Sequence, residues 1–463
     1  MDQPLFSSLT LKPDLLHTLD TLGYTSMTPI QAVSLPDILQ NRDVIGQART
    51  GSGKTVAFGL GILQKLEVRR FRVQSLVLCP TRELSEQVAT EIRRLARGTH
   101  NIKVLTLVGG VAFGPQKGSL EHGAHIIVGT PGRVEEHLRK RHLDLSHLTT
   151  LVLDEADRML DMGFTEIIDK VTGHLPPKRQ TLLFSATFPT DTEQLSKKVM
   201  TQPKRVSVDL AHSSASIHQL LYRIPDKKAR MRALITVLLH HKPHSALIFC
   251  NTRQLTEEVT TALKERGFSA QALHGDLEQK EREIRLLSFA NRSLSALVAT
   301  DVAARGLDIE TLDVVVNYHL SRDPEVHTHR IGRTGRAGSS GIACSLYHED
   351  EQNKVELLEG MTGQTFERMP LPQISADVRP AKPDMITLQI DGGKKQKIRP
   401  GDILGALTGK GGIEGKQVGK IKIFDLSSFV AIKSSSANKA LKVLQEGKVK
   451  GRSFRARKLS GHR

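Results

Sequence analysis

Between residues 43 and 347, short apolar runs alternate with longer amphipathic stretches, and that alternation constrains the fold more than any other feature. The first set of runs is 43–48 (DVIGQA), 75–80 (SLVLCP), 103–109 (KVLTLVG), 125–130 (HIIVGT), 148–155 (LTTLVLDE) and 180–187 (QTLLFSAT). The second set is 219–224 (QLLYRI), 245–251 (SALIFCN), 269–275 (SAQALHG), 295–301 (SALVATD), 312–320 (LDVVVNYHL) and 341–347 (GIACSLY). Strands apolar on both faces need cover on both sides, which parallel sheets layered between helices provide. The intervening stretches, such as 81–97 (TRELSEQVATEIRRLAR), supply those helices.

The polar, small-residue stretch 208–219 (VDLAHSSASIHQ) separates the two sets as a linker would. A second break, 369–384 (MPLPQISADVRPAKPD), holds four prolines and no periodicity. Beyond it the pattern changes to β-α-β-β-α-β. The expected organisation is two α/β domains at 1–210 and 211–368, a linker at 369–383, and a small α+β domain at 384–463.

No apolar run approaches the ~18 residues that span a bilayer, and the N-terminal MDQPLFSSLT has no basic-then-apolar signal pattern. A cytoplasmic location with no membrane partner is expected, and no obligate protein partner is implied. Cys79, Cys250 and Cys344 each sit inside an apolar run without metal-ligand spacing, as buried thiols of a reducing compartment would.

Charge is uneven. Residues 374–463 hold 20 Lys+Arg against 7 Asp+Glu, while the rest of the chain holds 46 against 42. A near-neutral body with a basic tail suggests a polyanion-binding appendage. A merely solvated basic tail is the simpler alternative.

The loop GQARTGSGKT (46–55) follows a strand and opens a helix. Its glycines and backbone amides can surround a phosphate at a helix N-terminus. Lys54 would reach the β- and γ-phosphates, and the Thr55 hydroxyl would ligate Mg²⁺. Such a loop needs a carboxylate partner. In LVLDEADRML (151–160), Asp154, Glu155 and Asp157 crowd three acids into four positions after a buried strand. Asp154 is placed to hold Mg²⁺ and Glu155 to act as general base on the attacking water.

Asp154-Glu155-Ala156-Asp157 resembles motif II of the DEAD-box RNA helicases, and further stretches match that family in order. GYTSMTPIQ (23–31) resembles the Q motif; this implies that Gln31 reads the adenine edge and that Phe6 stacks on the base. ARTGSGKT (48–55) matches motif I, in which this family has Ala at the first place. Ala48, Arg49, Thr50, Gly51, Ser52, Gly53, Lys54 and Thr55 are thus expected around the nucleotide, with Arg49 at a variable position. PTREL (80–84), GG (109–110) and TPGR (130–133) resemble RNA-gripping motifs, and SAT (185–187) resembles motif III. LIFCNTR (247–253), the Gln279/Arg282 pair, ATDVAARGLDI (299–309) and HRIGRTGR (329–336) match motif IV, its adjoining element, and motifs V and VI.

The resemblance spans about residues 1–365 and implies two RecA-like domains in tandem, with ATP and Mg²⁺ as cofactors. It also implies that Arg333 and Arg336 are arginine fingers supplied by the second domain, and that Asp308 lies near the ribose. Asp157, Ser185, Thr187 and His329 are expected to couple hydrolysis to RNA binding. Arg330 is expected to serve packing between the domains. RNA contacts are expected at Thr81, Arg82, Gly110, Thr130, Gly132, Arg133, Arg253, Gln279, Arg282, Thr300 and Gly306. These residue types suit phosphates and 2′-hydroxyls, not base edges. Aromatics are 4% of the chain and Trp is absent, so stacking platforms are scarce.

The β-α-β-β-α-β tail suggests an RRM-like fold, but it carries Phe429 without the full aromatic set. Lys420, Lys422, Lys448, Lys450, Arg452, Arg455 and Arg457 are therefore the candidate tail contacts. A helicase core with this tail resembles the bacterial DbpA-type branch, whose module recognises a hairpin in 23S ribosomal RNA. The expected function is ATP-dependent unwinding of short RNA duplexes in large (50S) ribosomal subunit assembly. Rivals are a general RNA chaperone with a basic anchor, an ATP-dependent RNA clamp, and a DNA helicase, which the Q motif and motif II oppose.

Overall fold

A computed structural model of the chain describes residues 4–48, 51–208, 217–304, 312–335, 341–363, 365–375 and 377–459. The chain divides into two compact units, each described by itself. The first contains β1 (Val44–Gln47), β2 (Ser75–Leu78), β3 (Val104–Leu107), β4 (Ile126–Gly129), β5 (Thr150–Asp154), β6 (Gln180–Ser185) and β7 (Lys204–Ser207). They form one parallel sheet in the order β3-β4-β2-β5-β6-β1-β7.

Alternate residues of a strand reach opposite faces. Val77 and Val152 accordingly join the apolar layer of Phe58, Leu60 and Phe184, while Leu76, Leu78, Leu151 and Leu153 join that of Val134 and Met159. A sheet buried on both faces brings Asp154, its last β5 residue, to a dry rim.

The second unit contains β8 (Ile217–Arg223), β9 (Ala246–Phe249), β10 (Ala270–Leu273), β11 (Ala296–Ala299), β12 (Val314–Asn317), β13 (Gly341–Tyr347) and β14 (Glu367–Met369), again all parallel, in the order β10-β11-β9-β12-β13-β8-β14. Both sheets have a seventh strand that apolar patterning does not announce. β7 and β14 are short and charged, as edge strands tend to be.

The chain then continues into β15 (Met385–Ile390), β16 (Val418–Ile423), β17 (Ser428–Lys433) and β18 (Ala456–Lys458), an antiparallel sheet ordered β16-β17-β15-β18. Helices Pro400–Thr408 and Ala437–Glu446 cover one face, packing Ile403, Leu407, Ala440 and Leu444 on Leu388, Ile390, Val430 and Ile432. The opposite face carries Thr387, Gln389, Phe429 and Ala431, which are also buried. Thr387 there accepts from Asn291 (3.2 Å) and bonds the Ser293 hydroxyl (2.7 Å) of the preceding domain. The proline-rich stretch before it is laid down too: Met369, Leu371, Ile374 and Val378 pack against the second parallel-sheet core. All three cysteines are free and buried, and among the described residues no helix is long and apolar enough to cross a membrane.

Candidate nucleotide site and RNA face

The phosphate loop connects β1 to helix Lys54–Lys65. Gly51 (φ +84°) and Gly53 (φ +95°) hold left-handed conformations that side chains disfavour. A Cβ on Gly53 would lie 2.5 Å from the Gln31 amide nitrogen. Gln31 itself closes a capping box, its Oε1 accepting from the Thr28 N–H (2.8 Å) while its Nε2 donates to the Gly53 carbonyl (3.0 Å). Lys54 Nζ donates to the Ala48 carbonyl (3.0 Å), and the Ala48 N–H donates to the Ser185 carbonyl (3.0 Å). The structure thus brings Gln31, Ala48, Gly53, Lys54 and Ser185 together. Phe6 is 3% exposed and sits in the apolar core cluster, so this structure offers little of its ring to a base. Arg49, Thr50, Gly306, Asp308 and Arg336 lie outside the described residues.

The acidic turn follows β5. Asp154, Glu155 and Asp157 are each 3% exposed. Glu155 adopts φ +54°, ψ +53°, a conformation costing a non-glycine residue roughly 1–2 kcal/mol. Strain of that kind persists only where the surrounding structure holds it. Burial raises the Asp154 carboxyl to about 6, against the attraction of Lys54, with Glu155 and Asp157 adding repulsion. Its Oδ1 is buried without a hydrogen-bond partner among the described residues, as is the Ser52 hydroxyl.

No group of three or more His, Cys, Asp or Glu among the described residues could hold a metal by itself. Mg²⁺ suits such a place, since it takes one or two carboxylates and completes its shell with phosphate oxygens and water. Asp157 differs from its neighbours in being fully engaged. Its Oδ2 accepts from the Thr187 N–H (3.0 Å) and hydroxyl (2.9 Å), and its own N–H donates to the Ser185 hydroxyl (3.3 Å).

The candidate RNA contacts of the first unit follow the carboxyl ends of β2, β3 and β4. Thr81 caps helix Arg82–Leu95, and the Arg82 guanidinium lies directly on Gly110, where an added Cβ would be 1.6 Å from Nη1. Arg133 donates to the Val111 carbonyl (3.1 Å) and pairs with Glu136 (3.2 Å). Thr130 and Gly132 begin the same helix turn, so Thr81, Arg82, Gly110, Thr130, Gly132 and Arg133 form one group.

In the second unit, Arg253 forms an exposed ion pair with Asp276. Gln279 bonds Glu283 (3.2 Å), and Arg282 donates to the Ala303 carbonyl (2.7 Å), three residues past Thr300. His329 is half-buried and Arg333 is 4% exposed. Arg330, expected to serve packing between the domains, is engaged by groups of the second unit itself. It is 2% exposed inside the second unit, bidentate to Asp301 (2.6 and 2.7 Å), with further bonds to the His319 carbonyl and Asn251. A guanidinium with five donors needs such a cage when buried. Asp301 and Asn251, which close the cage, had only one signal in the sequence: polar residues just past buried runs.

The tail candidates divide. Lys420 and Lys422 lie on β16, whereas Lys448, Lys450, Arg452, Arg455 and Arg457 cluster on or beside β18, at the other edge of that sheet. Lys450 donates to the Lys397 carbonyl (2.6 Å), and Arg457 pairs with Asp391 (2.9 Å). Phe429, 1% exposed, offers no face for stacking.

Residues 28–195 match the DEAD/DEAH box helicase family, 227–338 the helicase conserved C-terminal domain, and 387–458 the DbpA RNA binding domain. The chain is 50% identical over 455 residues to the ATP-dependent RNA helicase DbpA of Escherichia coli K12, covering 98% of this chain and 99% of that one. It is 35% identical to DbpA of Bacillus subtilis 168, with the same coverage. Among solved structures, S. cerevisiae Dbp5 bound to RNA and ADP BeF3 superposes with a TM-score of 0.72 at 31% identity, covering 79% of this chain and 96% of that one.

Proposed function

The chain belongs to the DEAD-box ATP-dependent RNA helicases, and from that premise we propose that it opens short duplexes in 23S ribosomal RNA during assembly of the 50S subunit, in the cytoplasm. The observation that carries the targeting is the DbpA-type RNA-binding module at 387–458, joined to a helicase core. That module presents Lys448, Arg452 and Arg455 exposed while its sheet face is covered. Phosphate contacts position such a module.

In the core, Asp154 and Thr55 would hold Mg²⁺, which when bound neutralises charge between the β- and γ-phosphates. Lys54 holds the phosphates, and Glu155 takes a proton from the attacking water. Arg333 and Arg336 answer the negative charge gathering on the γ-phosphoryl oxygens, and Asp308 and Gln31 select the nucleotide. Asp157, through Ser185 and Thr187, passes the state of that site toward the RNA grip, with His329 as its partner in the second unit.

ATPase stimulation by equal masses of large-subunit RNA, small-subunit RNA, transfer RNA and DNA tests the reading. Large-subunit RNA is expected to stimulate at the lowest concentration. Equal stimulation by both ribosomal RNAs would favour a general RNA chaperone.

A further inference from the structure

The amino-terminal rim of the first sheet lies opposite the residues just described, which follow the carboxyl ends of β2 to β5. Three adjacent strands, β3, β4 and β2, bring the segments before them together there. A cavity of about 490 Å³ opens at this rim, lined by Val68, Arg69, Phe71, Asn101, Ile102 and Lys103.

Phe71 is 45% exposed in a chain with few aromatics, yet its ring is firmly seated. It meets the buried His125 ring edge-on, with centroids 4.6 Å apart at 78°. His125 is fixed in turn: its Nδ1 accepts from the Lys103 N–H (3.1 Å) and its Nε2 donates to the Val68 carbonyl (3.0 Å). Gly123 (φ +73°) leaves room for the ring, since a Cβ there would lie 2.6 Å from Phe71 Cδ1.

Cations surround it. Arg69, Arg70 and Arg72 are exposed, and neither Arg69 nor Arg72 has an ion pair among the described residues. Arg70 stands 3.6 Å from Glu67, with both side chains 63% exposed. Among the described residues Lys103 Nζ donates to the Ser119 carbonyl (3.1 Å). The acids beside these cations include Glu67 and, at Arg72, Asp144, while Glu121, two residues past Ser119, pairs with Lys117 (3.8 Å).

A rigid open ring beside apolar walls, flanked by unneutralised cations, matches a base with its neighbouring phosphates. We propose that this rim binds a single-stranded extension of the RNA substrate, stacking one base on Phe71 and holding phosphates with Arg69, Arg72 and Lys103. A duplex would not serve, because its bases are already stacked on one another. The site gives the first domain a hold on RNA independent of its motif residues.

The test uses the full chain and a blunt RNA hairpin, with and without a single-stranded oligoadenylate extension, followed by fluorescence anisotropy. The native chain is expected to bind the extended RNA more tightly. Phe71→Ala should lose about fivefold or more of that gain, and Phe71→Tyr should retain it. Arg69→Gln with Arg72→Gln should lower the salt slope for extended RNA by about 1.4. Binding of the blunt hairpin and the turnover it stimulates should not change in any variant. The proposal is overturned if the extension brings no gain, if the gain survives in both the Phe71→Ala and the double arginine variants, or if blunt and extended RNA weaken equally. A parallel titration uses labelled oligoglutamate: native binding that the variants lose while keeping the extension gain would also overturn it, assigning the rim to an acidic protein partner.

Discussion

Counted from their own first strands, the two parallel sheets share one order, 3-4-2-5-6-1-7. What differs is how charge is met near them. In the first unit, Asp154 is a buried carboxylate with an oxygen that no described residue answers. In the second, Arg330 is a buried guanidinium answered by Asp301, and Arg230 by Glu351. A buried charge without a partner costs free energy unless a ligand supplies one, while a fully partnered charge is part of the scaffold. The same fold thus leaves this carboxylate open in one copy and holds these two guanidinium groups satisfied in the other.

The largest expected effect sits on the open side. Glu155→Gln should cut RNA-stimulated phosphate release by about 10²–10⁴-fold, the usual worth of a general base, while equilibrium ATP binding persists. Normal turnover in that variant would remove Glu155 from the chemistry. On the satisfied side, Arg330→Ala strands the Asp301 carboxylate. It should lower the unfolding free energy of the second unit by about 3–5 kcal/mol in urea melts. If Arg330→Ala melted like the native protein, the contrast between open and satisfied copies would collapse.

The third expectation concerns pH. A carboxyl raised to about 6 in the fold favours the folded state below its unfolded pKa of 3.8, and that advantage is lost as pH rises through 6. Above pH 6, Asp154 costs on the order of 3 kcal/mol. Asp154→Asn should therefore stabilise the nucleotide-free first unit at pH 8 by up to about that amount, while Mg²⁺ and ATP stabilise only the native chain appreciably. Glu351 works the opposite way. Burial opposes its charge, but bonds from Arg230, Lys354 and the His348 backbone prevail and hold it down at about 2. Its contribution is present above 4.5 and fades as pH falls toward 2. Thermal melts should show the first unit losing stability from pH 5 to pH 8 while the Glu351 contribution holds across that range, so a Glu351 contribution lost between pH 5 and 8 would contradict this pairing.

The central strands were legible because each is a short apolar run between helical patterns. The edge strands β7 and β14 were not, since KRVS and ERM expose charge to solvent. The carboxylates of 154–157 were legible as a set from their crowding. Their unequal engagement was not: it depends on SAT arriving beside Asp157 from the neighbouring strand β6. The cage of Arg330 was illegible for the same reason, because its partners come from three separate strand ends. The covered sheet face of the C-terminal module was also invisible, since Phe429 reads identically whether open or packed. Spacing along the chain reveals which groups exist, and only the tertiary fold reveals which remain unmet.

The smallest effect tests whether exposure separates ligand-binding cations from scaffold cations within the second unit itself. Arg253 pairs with Asp276, but the two side chains are 69% and 55% exposed. Exposed pairs contribute about 0–1 kcal/mol, so Arg253→Gln should barely move the unfolding midpoint. Such a pair is also cheap to exchange for a phosphate. The variant should weaken RNA binding and reduce its single-strand salt slope by about 0.7, one phosphate's worth of released counterion. Anisotropy titrations across salt concentrations read both quantities. A stability loss comparable to that of Arg330→Ala would place Arg253 in the scaffold, and an unchanged slope would remove it from the RNA face.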